Sequence, residues 1–424
     1  MSNDRALREV ERLLVRLHEL IASDQTDSEA ADEIRDRMDE LSGSLSASEL
    51  RRISELSGDL YMLTGEEIEA EAMRGKAPAQ VHAEIASAFR MRRWTDLLSA
   101  LRGPRDLPMD RVAYVRGRAW SCLGFHVASL KFYEFAYATV PNPNYIALAF
   151  DEYMVSGMGE AAESLVQQIE SDPNAHPTLL LKASLVLLGL GRHRPDEQRA
   201  EVDRRLGELI GRAKRDPRWS ESVPSLRAAG LIARAFALAH AGGLGDAESV
   251  LDEAIGISPS LEAAWIARGL VRFDAGRPKP AYEDLEEAVR LGASTVWPYF
   301  LLSHRALVSA DFRAAAELSK AGARLAAPGS IRAKLFEWWA IALAELGHPS
   351  SSVLAVFDAA EAEDPFDTII QANAARYRAH VAGSAVTAMW QPSSAPEAGS
   401  LVAQYSRHAT PRDLVGPPAS AALS

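Results

Sequence analysis

The chain has 424 residues, of which 47% are hydrophobic and 25% charged. This balance excludes bulk disorder and a fibrous or collagen-like class, because enough apolar surface is present to build a sizeable core. The net charge of −12 provides no electrostatic footprint for nucleic acid. The single cysteine, Cys122, excludes an internal disulfide and a thiolate zinc site. A charged start and the absence of an apolar run of about 20 residues predict no secretory signal, no membrane span and a cytoplasmic location.

Residues 1–77 are predicted to form an acidic helical segment. The apolar residues of its first helix recur at three-then-four spacing along one seam, namely Leu7, Val10, Leu14, Leu17 and Ile21. A third helix is expected from Ser48, whose start lacks a full capping box. An apolar seam requires a partner, so this segment is expected either to cap the domain that follows or to pair with another helix, including that of a second copy.

A repeat of 34 residues is visible in the middle of the chain. Residues 231–238 align with residues 265–272, and the match continues without a gap through Gly242 with Gly276 and Ala247 with Ala281. The glycines are expected to end a first helix in the left-handed conformation. The small alanines let a second helix pack closely against the first.

These positions resemble the tetratricopeptide repeat, whose pattern places an aromatic, Leu-Gly and Tyr on a first helix and small residues on a second. The resemblance extends in both directions and covers residues 78–390. It implies an all-α, right-handed α-solenoid of about eight helical hairpins, because a single hairpin cannot bury its apolar face alone. One hairpin carries an insertion near residues 192–227, with a long second helix over 195–215. Residues 391–424, rich in Pro, Ser and Ala, are predicted to be a disordered tail.

No catalytic constellation is recognisable in the sequence. Phosphate-loop, nucleophile-elbow and zinc-helix patterns are all missing, so we expect no enzyme activity and no catalytic, cofactor or metal residues. Cys122, on a first helix, is interpreted as a small buried hydrophobe rather than a redox sensor. A lone histidine such as His304 more often makes a polar contact than binds a ligand.

In tetratricopeptide proteins the first helices line a concave groove, and the resemblance assigns groove positions in three successive repeats. These positions are apolar and aromatic, and the main ones are Ile232, Phe236, Ile266, Leu270, Phe273, Trp297, Phe300, His304 and Leu307. Such a surface suits an amphipathic helix or extended peptide with large apolar anchors. Two alternatives stay open: the protein's own N-terminal helix or C-terminal tail fills the groove, or superhelical curvature buries it.

Three arginines depart from the family pattern at neighbouring positions: Arg234, Arg268 and Arg272. They are able to bind a carboxylate from a partner, but the favoured interpretation is pairing with nearby acids such as Asp252 or Glu262. The clamp with which some family members bind an acidic peptide tail needs Lys and Asn in the groove. Here those positions hold Ile232, Phe236 and Ile266, so that mode of binding is disfavoured.

The sequence therefore predicts a non-catalytic adaptor or regulatory subunit that binds a protein or peptide partner in its groove, with no nucleic acid, membrane or cofactor. The alternatives are a ligand-sensing regulator, whose superhelix responds to a small peptide or metabolite, and a non-catalytic arm of an enzyme complex. The preference for arginine over lysine is typical of a bacterium with a GC-rich genome.

Overall fold

The structure is a computed structural model that describes residues 3–64, 77–103, 106–192, 194–384, 390–391 and 401–415. Within these ranges the chain forms 22 α-helices and two short 3-10 helices, and no strand. The predicted all-α class is therefore confirmed. The chain divides into two units, with the division inside one helix after Val186.

The first unit contains nine complete helices: α1 (Asn3–Ala22), α2 (Glu29–Ser42), α3 (Ala47–Leu60), α4 (Pro78–Arg90), α5 (Trp94–Leu101), α6 (Met109–Cys122), α7 (His126–Thr139), α8 (Pro143–Val155) and α9 (Gly159–Ser171). A 3-10 turn, Tyr61–Thr64, follows α3. Helix α3 starts earlier than predicted, because Ser46 and Glu49 form the full capping box that the Ser48 start lacked.

The N-terminal helices share one apolar core with the hairpins that follow them. Val10 and Leu14 of the predicted seam are buried in the same cluster as Val112 and Trp120 of α6. Glu11 accepts hydrogen bonds from the first backbone amides of α7, Val127 N at 2.8 Å and Ala128 N at 3.0 Å. Leu7, Leu17 and Ile21 lie half-buried at the edge. The seam thus packs on the first hairpins, which is the capping role expected for it.

Helix α10 (Pro177–Gly191) crosses the division, and the second unit continues with α11 (Asp196–Arg215), α12 (Pro224–His240), α13 (Leu244–Ile257), α14 (Glu262–Asp274), α15 (Pro278–Arg290), α16 (Val296–Val308), α17 (Phe312–Leu325), α18 (Ser330–Glu345), α19 (Ser350–Glu363), α20 (Thr368–Val381), α21 (Leu401–His408) and α22 (Pro411–Val415). The insertion consists of the predicted long helix α11 and a 3-10 turn, Pro217–Glu221. Proline at the first turn of α12 and α15 fixes the start of those helices.

The 34-residue offset is a real structural period in the second unit. Helices α12 and α13 form one antiparallel hairpin, α14 and α15 the next, and α16 and α17 a third. Each hairpin turns at a residue in the left-handed region, with φ of 83° at Gly242, 72° at Gly276 and 59° at Ala310. Glycine adopts this conformation without the cost that a Cβ imposes. The predicted turn positions are therefore equivalent in the structure.

The C-terminal segment differs from the expected disordered tail. Residues 401–415 form α21 and α22, which pack on α12 and α14. The sequence shows no apolar period there because these helices are short and receive their apolar partner from helices far earlier in the chain. The remainder of the predicted tail, apart from Gln391, lies outside the described residues.

Candidate functional site

The predicted groove residues lie together on first helices of the second unit, but the structure buries them. Ile232 and Phe236 on α12, and Ile266 and Leu270 on α14, have no solvent exposure. Buried positions on α16 are Trp297, Phe300 and Leu307. Phe273 and His304 are half-buried. The open apolar surface expected from the repeat pattern is therefore closed.

Part of this burial comes from packing between successive helices of the repeat. The ring of Phe300 stacks on Trp338 of α18 at 4.8 Å between centroids, and His304 lies 5.2 Å from the same ring. Burial, with the nearby Lys334 charge, lowers the pKa of His304 below its usual value. Phe273 packs edge-on against Tyr282 of its own hairpin at 5.6 Å. These aromatic contacts join neighbouring helices and leave little room at α16 for a ligand.

The protein's own C-terminal helices cover part of the surface on α12 and α14. Leu401, Val402 and Tyr405 form one apolar face of α21 and are buried, as is Leu414 of α22. The ring of Tyr405 meets Phe236 edge to face, 5.7 Å between centroids. An edge-to-face pair of buried aromatic rings is a favourable, directional contact. The groove at α12 and α14 thus holds an amphipathic helix.

Polar contacts fix the position of α21 on this surface. The Asp274 carboxylate, at the end of α14, accepts hydrogen bonds from Leu401 N at 3.1 Å and Val402 N at 3.0 Å. An anionic acceptor at the first amides satisfies donors that the helix leaves unpaired and interacts well with its dipole. His240, at the end of α12, contacts Ser406 Oγ through Nε2 at 3.0 Å. Burial raises the pKa of the Tyr405 hydroxyl, and the charges of Asp413 and Glu262 add to the effect.

A second part of the C-terminal segment is held by α19 and α20. Trp390 stacks on Phe357 at 5.9 Å and on Tyr377 at 5.8 Å between centroids. The buried side chain of Asn373 accepts a hydrogen bond from Gln391 N at 3.0 Å and donates one to Gln391 O at 2.8 Å. An amide side chain thereby pairs with both polar groups of one backbone residue, as a neighbouring strand does.

Of the alternatives that the sequence left open for the groove, the structure therefore shows occupation by the C-terminal segment at α12 and α14. Asp274, His240, Asn373 and Trp390 were not recognised from the sequence. No local pattern marks them, because each makes a contact with a residue at least 18 positions away in the chain. The basis of their role is tertiary. The one local signal is that Trp390, at the end of the predicted solenoid, has no other aromatic residue near it in the sequence.

Two of the three predicted arginines are engaged internally. Arg268 binds both oxygens of the buried Asp284, at 2.7 and 3.1 Å, and also Asp252 at 2.6 Å. Arg272 binds Glu248 at 2.8 Å and Asp284 at 2.9 Å. The favoured interpretation of pairing with Asp252 agrees with this geometry for Arg268; Glu262 is not among these partners.

Arg234 is different, since it forms no ion pair or hydrogen bond through its side chain within the described part of the chain. It lies half-buried on α12 and lines a cleft of about 1380 Å³ between α11, the end of α12 and α21.

In the first unit one polar cluster has residue types that also occur in catalytic sites. Ser121 donates to Glu152 Oε1 at 2.6 Å, and His126 Nδ1 lies 2.7 Å from Glu152 Oε2. The carboxylate stands between the hydroxyl and the ring, whereas an acyl-transfer relay needs the imidazole next to the hydroxyl. Cys122 was expected to be buried, and this is wrong: it lies at the last turn of α6 and is exposed. No group of metal-binding side chains occurs among the residues described.

The hairpins, their left-handed turns and the 34-residue period define an all-α fold of tandem helical hairpins. Solved structures of tetratricopeptide repeat proteins are among those similar to this chain. One from Parabacteroides merdae is 14% identical, with a TM-score of 0.41, over 62% of this chain and 98% of that chain. Yeast Tom70 is 12% identical, with a TM-score of 0.26, over 78% of each chain.

A third similar structure, the Cut9 and Hcn1 hetero-tetramer, is 13% identical with a TM-score of 0.27, over 87% of this chain and 82% of that chain. No protein-family model and no curated protein sequence matches the chain. Among the described residues, no helix has the length and apolar character needed to cross a membrane.

Proposed function

We propose that the protein is a non-catalytic interaction adaptor that binds an amphipathic helix of a protein partner on α12 and α14. One observation carries this proposal: the surface already holds α21, with Tyr405 against Phe236 and the helix N-terminus on Asp274. A surface that accepts a helix through an apolar face and an acidic N-terminal acceptor is suited to a partner helix of the same pattern.

The tail then acts as an internal competitor of the partner. Because the tail belongs to the same chain, its binding to the groove is intramolecular and its effective concentration there is high. A partner has to bind more tightly than the tail at that concentration, or it binds only after the tail has been released. The partner's apparent dissociation constant equals its intrinsic dissociation constant divided by the fraction of molecules whose groove is free of the tail.

A labelled peptide of residues 398–416 tests the groove directly by fluorescence anisotropy. The chain truncated before residue 398 is expected to bind the peptide, and the full chain to bind it at least about tenfold more weakly because its own tail competes. The matched peptide with Tyr405→Ala is the control and is expected to bind weakly to both. Equal binding of both peptides by the truncated chain would show that α21 is not recognised through its apolar face.

The same peptide tests the adaptor role. Proteins retained by the truncated chain from a cell extract are expected to be displaced by the natural peptide and to remain bound with the Tyr405→Ala peptide. Retained proteins that neither peptide displaces bind elsewhere, and that result contradicts a groove adaptor.

A further inference from the structure

The cleft beside Arg234 is basic in an otherwise acidic chain. Its lining contains seven basic and three acidic side chains, whereas the whole chain has a net charge of −12. Five of the basic residues lie on the inserted helix α11, one is Arg234 and one is Arg407 of α21. A concave surface lined with charge of one sign concentrates ligands of the opposite sign.

The three acids of the lining are already used. Asp203 lies 3.1 Å from His240 Nδ1, and Glu208 pairs with Arg204. Asp274 accepts the amides of α21. Arg199, Arg215 and Arg234 form no ion pair within the described ranges. The cleft therefore contains cationic groups without an internal counter-charge.

The repeat register explains why Arg234 lacks a partner. Arg234 and Arg268 are equivalent at the 34-residue offset, and Arg268 is held by Asp284 on the second helix of its hairpin. The residue equivalent to Asp284 on α13 is Val250. Arg234 therefore has the position of a bidentate carboxylate reader, while its own hairpin supplies no carboxylate.

We propose that this cleft binds an acidic peptide segment of a protein partner, with one carboxylate on the guanidinium of Arg234. Apolar atoms of Leu238, Leu244 and Val402 also line the cleft, which suits a segment that mixes acidic with apolar side chains. A nucleic acid is disfavoured because no Phe, Tyr or Trp lines the cleft, so bases would find no aromatic ring on which to stack. This cleft is separate from the apolar surface on α12 and α14 that holds α21.

The cleft and the tail are linked, because α21 forms one wall. Val402 and Arg407 of α21 line the cleft, and His240 bridges Asp203 of α11 to Ser406 of α21. A ligand of the cleft that needs this wall binds more tightly when the tail is docked. By thermodynamic linkage, the bound ligand stabilises the docked tail by the same free energy. The acidic segment and a helix that replaces α21 should therefore oppose each other.

The test is anisotropy of the full chain with a labelled decapeptide, Glu-Glu-Leu-Asp-Glu-Leu-Glu-Glu-Asp-Gly. Binding is expected to weaken with salt, and Arg234→Glu is expected to reduce affinity about tenfold or more. The matched control is Arg290→Glu, the same charge change at an exposed residue of α15 that is not part of the cleft lining, with an expected change below about threefold.

Three results would overturn the proposal. The first is an equal loss of peptide affinity in Arg234→Glu and Arg290→Glu, and the second is that a peptide with Gln and Asn in place of its acids binds as tightly as the acidic peptide. The third is that a ten-residue oligothymidylate binds more tightly than the acidic peptide. If circular dichroism shows that Arg234→Glu does not fold, Arg234→Gln is compared with Arg290→Gln under the same criterion. Both Arg234 variants leave Phe236 and Asp274, which contact α21, unchanged. The tail-peptide assay therefore still tests the proposed function when the decapeptide fails to bind.

Discussion

Close helix packing in the second unit depends on single small residues. A Cβ at Gly269 of α14 would lie 3.1 Å from the carbonyl oxygen of Ala281 and 3.1 Å from the side chain of Leu285, both on α15. Because one of these atoms belongs to the backbone, alanine at this position would force α14 and α15 apart by a few tenths of an ångström. The equivalent residue Ala235 is fully buried, so the preceding hairpin accommodates a methyl group at this position.

A buried histidine gives the first unit a pH-dependent stability. His18 of α1 is almost fully buried, with Nε2 3.2 Å from Ser57 Oγ and its ring edge-on to Tyr61. Burial lowers its pKa from 6.5 to about 4. As pH falls below 6.5 the unfolded chain binds a proton that the folded chain does not, so stability is lost between pH 6.5 and 4.

Between pH 7.5 and 5 this effect amounts to about 2 kcal/mol. The measurement is the free energy of opening of α1 and α3 from amide hydrogen exchange at both pH values, for the natural chain and for His18→Gln. The variant is expected to lose about 2 kcal/mol less over this interval. An identical pH dependence in both proteins would mean that His18 is not the group responsible.

At the scale of helices, the sequence predicts the elements whose partners are adjacent and misses the one whose partner is distant. Helix α11 and the turns at Gly242, Gly276 and Ala310 follow from local periodicity and from the 34-residue offset. Helix α21 has only eight residues and is not expected to be stable alone, because helix nucleation is costly. Its apolar partner Phe236 and its N-terminal acceptor Asp274 are more than 120 residues earlier in the chain.

For the candidate site too, the sequence predicts which residues lie together but not the distant segments that contact them. The family pattern correctly grouped Ile232, Phe236, Ile266 and Leu270 on neighbouring helices, since their position in the repeat fixes the face on which they lie. The contact of Phe236 with Tyr405 of α21 is not encoded by any pattern in residues 231–272. The pairing of Arg268 was expected from the nearby acids, whereas the free guanidinium of Arg234 is apparent only once α11 and α21 are in place.

If α21 is held as the contacts indicate, one side chain should control its docking. Tyr405→Ala removes the ring against Phe236 and is expected to weaken docking by about 3 kcal/mol, so amide exchange in residues 401–415 should accelerate about 100-fold. His408→Ala, at an exposed position of the same helix, is the matched control and should change exchange less than about threefold.

Both variants should leave exchange in α14 and α15 within a small factor of the natural chain, because those helices keep their own hairpin contacts. Equal protection of the tail in Tyr405→Ala and the natural chain would show that the Phe236 contact does not hold it.

At the scale of the whole chain, the stability of each hairpin depends on its contacts with the hairpins next to it. In the second unit α12 contacts α13, α13 contacts α14, and the pattern continues to α19 and α20. In such repeat structures the folding free energy is approximately a sum of terms for each repeat and each interface between adjacent repeats. A local change is therefore expected to destabilise its own hairpin and the next one, with an effect that decays along the series.

Ala247→Leu tests this decay. Ala247 is fully buried on α13 at the position equivalent to Ala281, whose carbonyl lies against Gly269. The larger side chain overpacks the hairpin and is expected to cost about 1 to 3 kcal/mol in α12 to α14, measured by hydrogen exchange, with a smaller loss in α18 and α19. Ala355→Leu, at an exposed position of α19, makes the same chemical change and should cost less than about 0.5 kcal/mol. An equal loss of protection in α12 and α18 would mean that the second unit unfolds as one cooperative block, and the sum over adjacent repeats would not describe it.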